Sequence, residues 1–165
     1  MKKLYLATYE WEGGICLASD GKTLQAAGFD PDRVVSRLRK HFPRCRIEWN
    51  PAKLETVLRQ LEEYLQGERK AFDVPVHLRG TRFQLRVWNE IRKIPYGQTE
   101  TYGNIAKALG DVRLSRAVGR AVGTNPVPLI IPCHRVVGTR DRLGGYLGGP
   151  AVKKRLLELE GVGSL

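Results

Sequence analysis

Long apolar runs are missing from this sequence of 165 residues. No stretch approaches the ~20 apolar residues that a membrane-spanning helix needs. The N-terminal stretch, MKKLYLATYEWEGG, begins with basic residues but contains neither the apolar segment nor the cleavage site of a signal peptide. We therefore expect no membrane contact and a cytoplasmic location, or a nuclear one in a eukaryote.

Cysteine is also scarce, with Cys16, Cys45 and Cys133 far apart and no CxxC pair. An odd number of cysteines at wide spacing excludes a disulfide framework and a compact zinc motif. Cys16 and Cys45 could join His41 and His77 around a metal ion, but the spacing of metal ligands is absent. We favour core cysteines and surface histidines, and expect no metal.

Neither a GxGxxG fingerprint nor a P-loop is present, so the sequence offers no site for a nucleotide cofactor. Acidic residues are too few to balance the charge, and the formal net charge is +11. Residues 1–75 contain 13 Lys and Arg against 11 Asp and Glu, whereas residues 76–165 contain 15 against 6. The basic second part predicts a polyanionic partner. A solvated basic surface without a partner is the alternative, and charge alone does not exclude it.

The periodicity of the sequence predicts an α+β fold with two domains. In residues 1–75, the alternation in KKLYLATYEW and the turns at Gly13-Gly14 and Asp20-Gly21 predict a short antiparallel sheet. Asp30-Pro31 and Asn50-Pro51 each mark the start of a helix. We expect this small α/β unit to precede a mostly helical domain over residues 76–165.

The second domain contains two short helical segments that predict a helix-turn-helix. YGNIAKAL ends at Gly110, and SRAVGRAVG follows after a short turn. The second segment has mostly small side chains, so it could approach DNA closely while reading few bases. A helix packed in the core is the alternative. Further on, RVVG and LGGYLGG predict short extended pieces around a turn at residues 139–141, and Pro150 starts a last helix that Gly161 ends.

A cysteine and a histidine are adjacent at the end of NPVPLIIPCHRVVG. A thiolate is a strong nucleophile, and a nearby histidine can remove the thiol proton. Such a histidine usually needs a third group to orient it, and Glu158 and Glu160 are the candidates. The Cys-His pair alone is a weak signal, since most buried cysteines are inert.

Together with GGYLGG and LLELEG, the stretch RAVGRAVGTNPVPLIIPCHRVVG resembles the O6-alkylguanine-DNA alkyltransferases, the methylated-DNA–protein-cysteine methyltransferases. The resemblance covers residues from about 81 to 161, and the preceding unit is similar to the variable N-terminal domain of that family. It implies irreversible transfer of an alkyl group from guanine O6 in double-stranded DNA to Cys133. It further implies one turnover per molecule, no cofactor, a monomer, and approach to the minor groove through the helix-turn-helix.

The resemblance also implies a role for each matching residue. Cys133 would be the acceptor, His134 would deprotonate it through a water, Glu160 would orient His134, and Asn125 would hold the turn. Asn125 as a plain Asn-Pro turn residue is the alternative. Tyr102 would rotate the nucleotide out of the helix and Arg116 would fill its place. The residues expected to contact DNA or the flipped base are Tyr102, Ser115, Arg116, Ala117, Gly119, Pro128, Val136, Tyr146 and Leu147.

Leu147 departs from the family pattern, which usually has Ser or Ala there. If Leu147 points into the pocket, large adducts are disfavoured; if it points outward, the pocket stays open. The sequence leaves both orientations possible, because glycines lie on both sides.

Two other functions are also considered. A lesion-binding sensor related to the alkyltransferases would lack the acceptor cysteine, and a helix-turn-helix regulator would need a helix with more base-reading side chains.

Overall fold

A computed structural model describes residues 1–140 and 142–163. The chain forms two compact units, Met1–Leu78 and Arg79–Leu165. Charge and periodicity predict a division after residue 75, a few residues earlier. Residues 76–78 lie with the first unit because Val76 bridges Leu24, and the His77 N–H donates to the Leu24 carbonyl at 2.9 Å. Among the described residues, no helix is long and apolar enough to cross a membrane.

The first unit is built on a four-stranded sheet. Strands β1 (Lys3–Tyr9), β2 (Ile15–Ser19) and β3 (Leu24–Gly28) are antiparallel neighbours, as the hairpin signals predict. Strand β4 (Arg46–Trp49) pairs with β1 in parallel, which gives the order β3-β2-β1-β4. The parallel pair arises because helix α1 (Pro31–His41) carries the chain back across the sheet between β3 and β4.

Local capping sets the helices of this unit. The Asp30 side chain caps α1 by accepting from the Asp32 N–H at 3.0 Å. Helix α1 buries Val34 and Leu38 in a core cluster that includes strand residues Leu4, Cys16, Ala18 and Ala26. The helix predicted after Asn50 begins as a 3₁₀ turn, Pro51–Leu54, and continues as α2 (Glu55–Leu65).

The second unit contains the predicted helix-turn-helix. Helix α3 (Arg82–Arg92) begins at a capping box in which the Thr81 and Gln84 side chains each bond the other residue's backbone N–H. Helices α4 (Tyr102–Ala108) and α5 (Ser115–Val122) follow, separated by Gly110 and a 3₁₀ turn, Val112–Leu114. The Trp88 indole N–H donates to the Ala121 carbonyl at 2.9 Å and so holds α3 against α5.

The remainder of this unit carries short elements around the Cys-His pair. Strand β5 (Glu100–Thr101) pairs in parallel with β6 (Val136–Val137), which confirms an extended RVVG piece. Residues 143–149 form no strand, although LGGYLGG predicts one. The turn expected at residues 139–141 includes Asp141, which lies outside the described residues. Helix α6 (Pro150–Leu159) starts at Pro150 as predicted, with Gly161 at positive φ after its end.

Candidate active site

Hydrogen bonds of the Asn125 side chain hold the turn that leads into the Cys-His pair. The Asn125 side chain accepts from the Val127 N–H at 3.0 Å and donates to the Ile131 carbonyl at 2.9 Å. Between them, Leu129 has φ +78°, a left-handed conformation that costs a leucine energy. The Cys133 N–H donates to the same Ile131 carbonyl at 2.8 Å. One carbonyl therefore connects the buried asparagine to the backbone of the cysteine.

Cys133 begins a single 3₁₀ turn, Cys133–Arg135, in which its side chain is buried. Pro132 precedes the turn, so the Cys-His pair lies outside an α-helix as expected. Burial raises the pKa of the Cys133 thiol to about 11, against a hydrogen bond from Asn125 and the charge of Lys153, which both lower it. The resting group at neutral pH is therefore the thiol, and a base must take its proton before it can attack.

The imidazole beside Cys133 is held by a carboxylate. His134 Nε2 lies 2.6 Å from Glu160 Oε2, and both side chains are fully buried. An ionised carboxylate can only accept hydrogen bonds, so Nε2 carries the proton and Nδ1 is the basic nitrogen of the ring. Burial lowers the pKa of His134, and the hydrogen bond with Glu160 opposes that shift. Of the two candidate carboxylates, Glu160 is the one that orients His134, since Glu158 is exposed.

Arg135 fixes Glu160 from the opposite side. Its Nε donates to Glu160 Oε1 at 2.8 Å and its Nη2 to Oε2 at 3.0 Å. Nη1 donates to the Ile94 carbonyl at 2.8 Å, and the Gly97 N–H donates to Glu160 Oε1 at 3.2 Å. A two-pronged guanidinium pair of this kind defines the orientation of the carboxylate as well as its charge. The geometry of His134 thus depends on Arg135.

Lys153 joins the segment after the Cys-His pair to the glycine-rich loop. Its side chain is fully buried, and Nζ donates to the Val136 carbonyl at 2.6 Å and the Gly145 carbonyl at 3.1 Å. Burial lowers the pKa of Lys153 to about 8, and the charge of Cys133 opposes that shift. A buried cation is therefore coupled electrostatically to the thiol.

Tyr102 meets this loop from the start of α4. Gly144 has φ +77°, and a methyl group added there would lie 2.9 Å from the Tyr102 hydroxyl oxygen and 3.3 Å from Lys153 Nζ. Burial raises the pKa of Tyr102, and the nearby Cys133 raises it further. The tyrosine hydroxyl, the buried lysine and the loop backbone therefore converge, and only glycine fits at residue 144.

Helix α5 has one buried face and one open face. Val118, Ala121 and Val122 are buried, whereas Arg116 and Arg120 are exposed. Ser115, Ala117 and Gly119 are half-buried between these faces. The helix packs on the core and still presents an exposed basic face, so the two alternatives for this helix both describe part of it.

The structure buries several of the predicted residues of the second unit and leaves Leu147 partly exposed. Asn125, Pro128, His134 and Val136 are buried near Cys133 in sequence, and the Tyr146 ring packs edge-on against His134 with centroids 6.4 Å apart. Leu147 is 39% exposed. His41 and His77 are exposed while Cys16 and Cys45 are buried, and no group of three metal-ligating side chains forms within the described residues.

Arg135, Lys153 and Gly97 were not predicted from the sequence. Lys153 had a usable signal, because it shares the buried side of α6 with Leu156 and Leu157 at helical spacing. A lysine on an apolar stripe is rarely fully buried without a specific partner. Arg135 and Gly97 carried no such signal, since their partner Glu160 is distant in sequence.

An oriented imidazole beside a buried thiol, in the unit that carries a helix-turn-helix with an exposed basic face, defines a DNA-binding protein with a cysteine nucleophile. Two family models match the chain. Residues 82–162 match the DNA-binding domain of 6-O-methylguanine DNA methyltransferase, and residues 4–78 match the ribonuclease-like domain of the same family. The chain belongs to the 6-O-methylguanine DNA methyltransferase family.

Individual relatives cover nearly the whole chain. A methylated-DNA–protein-cysteine methyltransferase of Methanosarcina acetivorans is 43% identical over 96% of this chain and 99% of its own. The crystal structure of the Mycobacterium tuberculosis OGT in complex with DNA has a TM-score of 0.82 at 38% identity, covering 96% of this chain and 92% of that one. The O6-methylguanine-DNA methyltransferase of Pyrococcus kodakaraensis has a TM-score of 0.70 at 28% identity, covering 96% of this chain and 99% of that one.

Proposed function

We propose that this protein repairs DNA by moving an alkyl group from guanine O6 to the sulfur of Cys133, once per molecule. The bond from sulfur to the alkyl carbon forms as the bond from that carbon to O6 breaks. The thiol proton passes to His134, and the electron pair of the broken bond stays on O6. The purine then takes up one proton, released from His134 through water, which restores guanine. The observation that carries this proposal is the buried pair of His134 and Glu160 beside the thiol, with Nε2 and Oε2 2.6 Å apart.

Four groups prepare Cys133 for this reaction. His134 takes the thiol proton through Nδ1 or a bridging water, because its Nε2 is committed to Glu160. Glu160 stabilises the imidazolium that results, as a carboxylate does in other triads. The side chain of Asn125 and the charge of Lys153 both lower the pKa of the thiol against the effect of burial. No cofactor takes part in this scheme.

Helices α4 and α5 supply the DNA contacts in this proposal. The small residues Ser115, Ala117 and Gly119 let α5 approach the minor groove closely. Tyr102 crowds the backbone and helps to rotate the nucleotide, and Arg116 fills the vacated place in the stack. Extrusion of a base costs a few kcal/mol, and less for a damaged pair. The main chain of Cys133 and Val136, with the side chains of Pro128, Tyr146 and Leu147, then borders the flipped base.

The partner is double-stranded DNA that carries O6-alkylguanine. The large excess of Lys and Arg over Asp and Glu in residues 76–165 supports binding to phosphates. We further propose that the protein acts as a monomer in the cytoplasm, or in the nucleus of a eukaryote.

Mass spectrometry of the protein after incubation with a duplex containing O6-methylguanine tests this function. We expect a gain of one methyl group, located on Cys133. Cys133→Ala is expected to bind the same duplex without gaining mass, because helix α5 and the basic charge supply the affinity. Methyl transfer by the alanine variant would overturn the proposal. Lesion binding without mass gain in the native protein would indicate a sensor, and indifference to the lesion would indicate a regulator.

A further inference from the structure

The positive charge of the first unit is concentrated in one segment. Residues 31–46 contain six Arg and Lys and one Asp. The rest of residues 1–75 contains seven Arg and Lys and ten Asp and Glu. Although the net charge of this unit is close to zero, the unit therefore contains a strongly basic region, made of α1 and the loop that leads into β4.

This region is a defined surface rather than a mobile tail. Val34 and Leu38 anchor α1 in the core, so the charged residues of the helix point away from the sheet. Arg39 Nη1 donates to the Cys45 carbonyl at 3.2 Å and so ties the helix to the loop that follows. Lys2 adds a further cation, with Nζ 4.8 Å from the centre of the Phe42 ring.

Two cations within residues 31–46, Lys40 and Arg44, have neither an acidic partner nor a hydrogen bond among the described residues. Arg33 lies 3.7 Å from Asp30 and Arg46 lies 3.1 Å from Glu48, so each has an acidic partner. Lys40 and Arg44 are exposed, and within residues 1–140 and 142–163 their side chains make no ion pair or hydrogen bond. They are the groups that an external anion would meet.

The opposite side of the sheet has a different character. Ser19 alternates with Cys16 and Ala18 along β2, so its side chain lies on the face away from α1. There it lines a cavity together with Lys22 and Lys53, and Lys53 Nζ is 5.6 Å from the centre of the Tyr5 ring. Helix α2 adds Glu55, Glu62 and Glu63. The sheet therefore separates a basic surface from one in which lysines and acidic residues are mixed.

We propose that the surface of α1 and the loop through residue 46 binds the phosphate backbone of duplex DNA, as a contact additional to the helix-turn-helix. Charge complementarity identifies the partner, because the second unit belongs to a DNA-binding domain family. Lys and Arg side chains neutralise phosphates, and contacts to phosphates carry no sequence information, so we expect this contact to be independent of sequence.

A salt titration with an unmodified duplex tests this contact independently of alkyl transfer. Each phosphate contact contributes about 0.9 to the slope of log K against log salt concentration, so Lys40→Gln with Arg44→Gln should reduce the slope by about 2. Lys53→Gln with Arg59→Gln removes the same charge from the other face and should leave the slope unchanged. The proposal would be overturned if the native protein and the Lys40/Arg44 variant had equal slopes. It would also be overturned if both double variants reduced the slope by the same amount.

Acetylation of lysines in the native protein tests directly whether DNA covers this surface. We expect saturating duplex to protect Lys40 severalfold from the reagent while Lys53, on the other face of the sheet, reacts as in the free protein. Unchanged reactivity of Lys40 would show that DNA does not cover this surface. Protection of Lys40 that rises with protein concentration in the absence of DNA would instead identify a second copy of the chain as its occupant, and would also overturn the proposal.

Discussion

At the scale of single residues, the site depends on buried charges that must be matched. Glu160 accepts from His134, Arg135 and the Gly97 backbone, and its carboxylate is shielded from water. Burial of an ion is costly unless a partner compensates it, and removal of one partner leaves the other unpaired. The same group that bonds the His134 imidazole is therefore also part of what stabilises the second unit.

Glu160→Gln should impair both stability and transfer. The amide keeps the shape but loses the charge, so Arg135 is left uncompensated and unfolding should become about 3–5 kcal/mol easier. The pKa of His134, already lowered by burial, falls further without the carboxylate, and the weaker base should slow benzyl transfer from free O6-benzylguanine to Cys133 by about a hundredfold. Denaturant titration and single-turnover kinetics measure the two effects. Glu158→Gln, at an exposed neighbouring position, is the control. Equal free energies of unfolding and equal transfer rates for the two variants would contradict this account.

Lys153→Met should change the dependence of transfer on pH. The cation lowers the pKa of Cys133, so its removal raises that pKa beyond about 11. Because Lys153 itself loses its charge near pH 8, the variant should have less thiolate and a lower rate below that pH, and the two profiles should converge above it. A thiol pKa higher by about one leaves roughly a tenth as much thiolate at neutral pH. Rate profiles for Lys153→Met and the exposed control Lys154→Met test this, and superimposable profiles would show that Lys153 is purely structural.

Leu147→Ser tests which orientation of Leu147 governs the pocket. Its side chain is 39% exposed, so we expect it to border the pocket entrance without narrowing the space for the alkyl group. The ratio of benzyl to methyl transfer should then be the same in the native protein and the serine variant. A leucine that filled the pocket would raise the barrier to benzyl transfer by about 1–3 kcal/mol. The rate of benzyl transfer would then be roughly ten- to hundredfold higher in the serine variant.

At the scale of elements, local signals predicted the helices well and distant pairings poorly. Asp30 caps its helix as the sequence indicates, because a cap needs only neighbouring residues. The parallel pairing of β4 with β1 was missed, since strand order depends on contacts across the unit. The sequence itself pointed to the adjacent Cys133 and His134, whereas the choice of Glu160 over Glu158 came from resemblance to a family. The contacts of Arg135 and Lys153 required the structure.

The exposed face of α5 leads to a prediction about base extrusion. Arg116→Ala should lower the ratio of the transfer rate on duplex to that on free base, because only the duplex requires a nucleotide to be rotated out. The loss should correspond to a few kcal/mol at most. Arg120→Ala removes an equal charge from the same helix and controls for phosphate attraction. Equal reductions of the transfer rate on duplex and on free base would mean that Arg116 shapes the pocket instead of replacing the base.

At the scale of the whole molecule, the reactive chemistry is confined to one of the two units. Cys16 and Cys45 lie in the core of Met1–Leu78, and burial raises the pKa of Cys16 to about 11. Cys133 has a similarly raised pKa, but His134 follows it directly in the chain, whereas Cys16 lies within a cluster of buried apolar residues. Reactivity therefore follows from the group beside the thiol and not from the thiol itself.

This contrast predicts a stoichiometry of one alkyl group per chain that does not depend on the first unit's cysteines. Cys16→Ala with Cys45→Ala should accept one methyl group from damaged duplex at the native rate, as measured by intact-mass spectrometry. Thermal unfolding of the double variant checks that the loss of two buried sulfur atoms leaves both units folded. A folded double variant with strongly reduced transfer would show that Cys133 does not act alone. A native protein that takes up a second alkyl group would lead to the same conclusion, since it would require a second thiol with a base within reach.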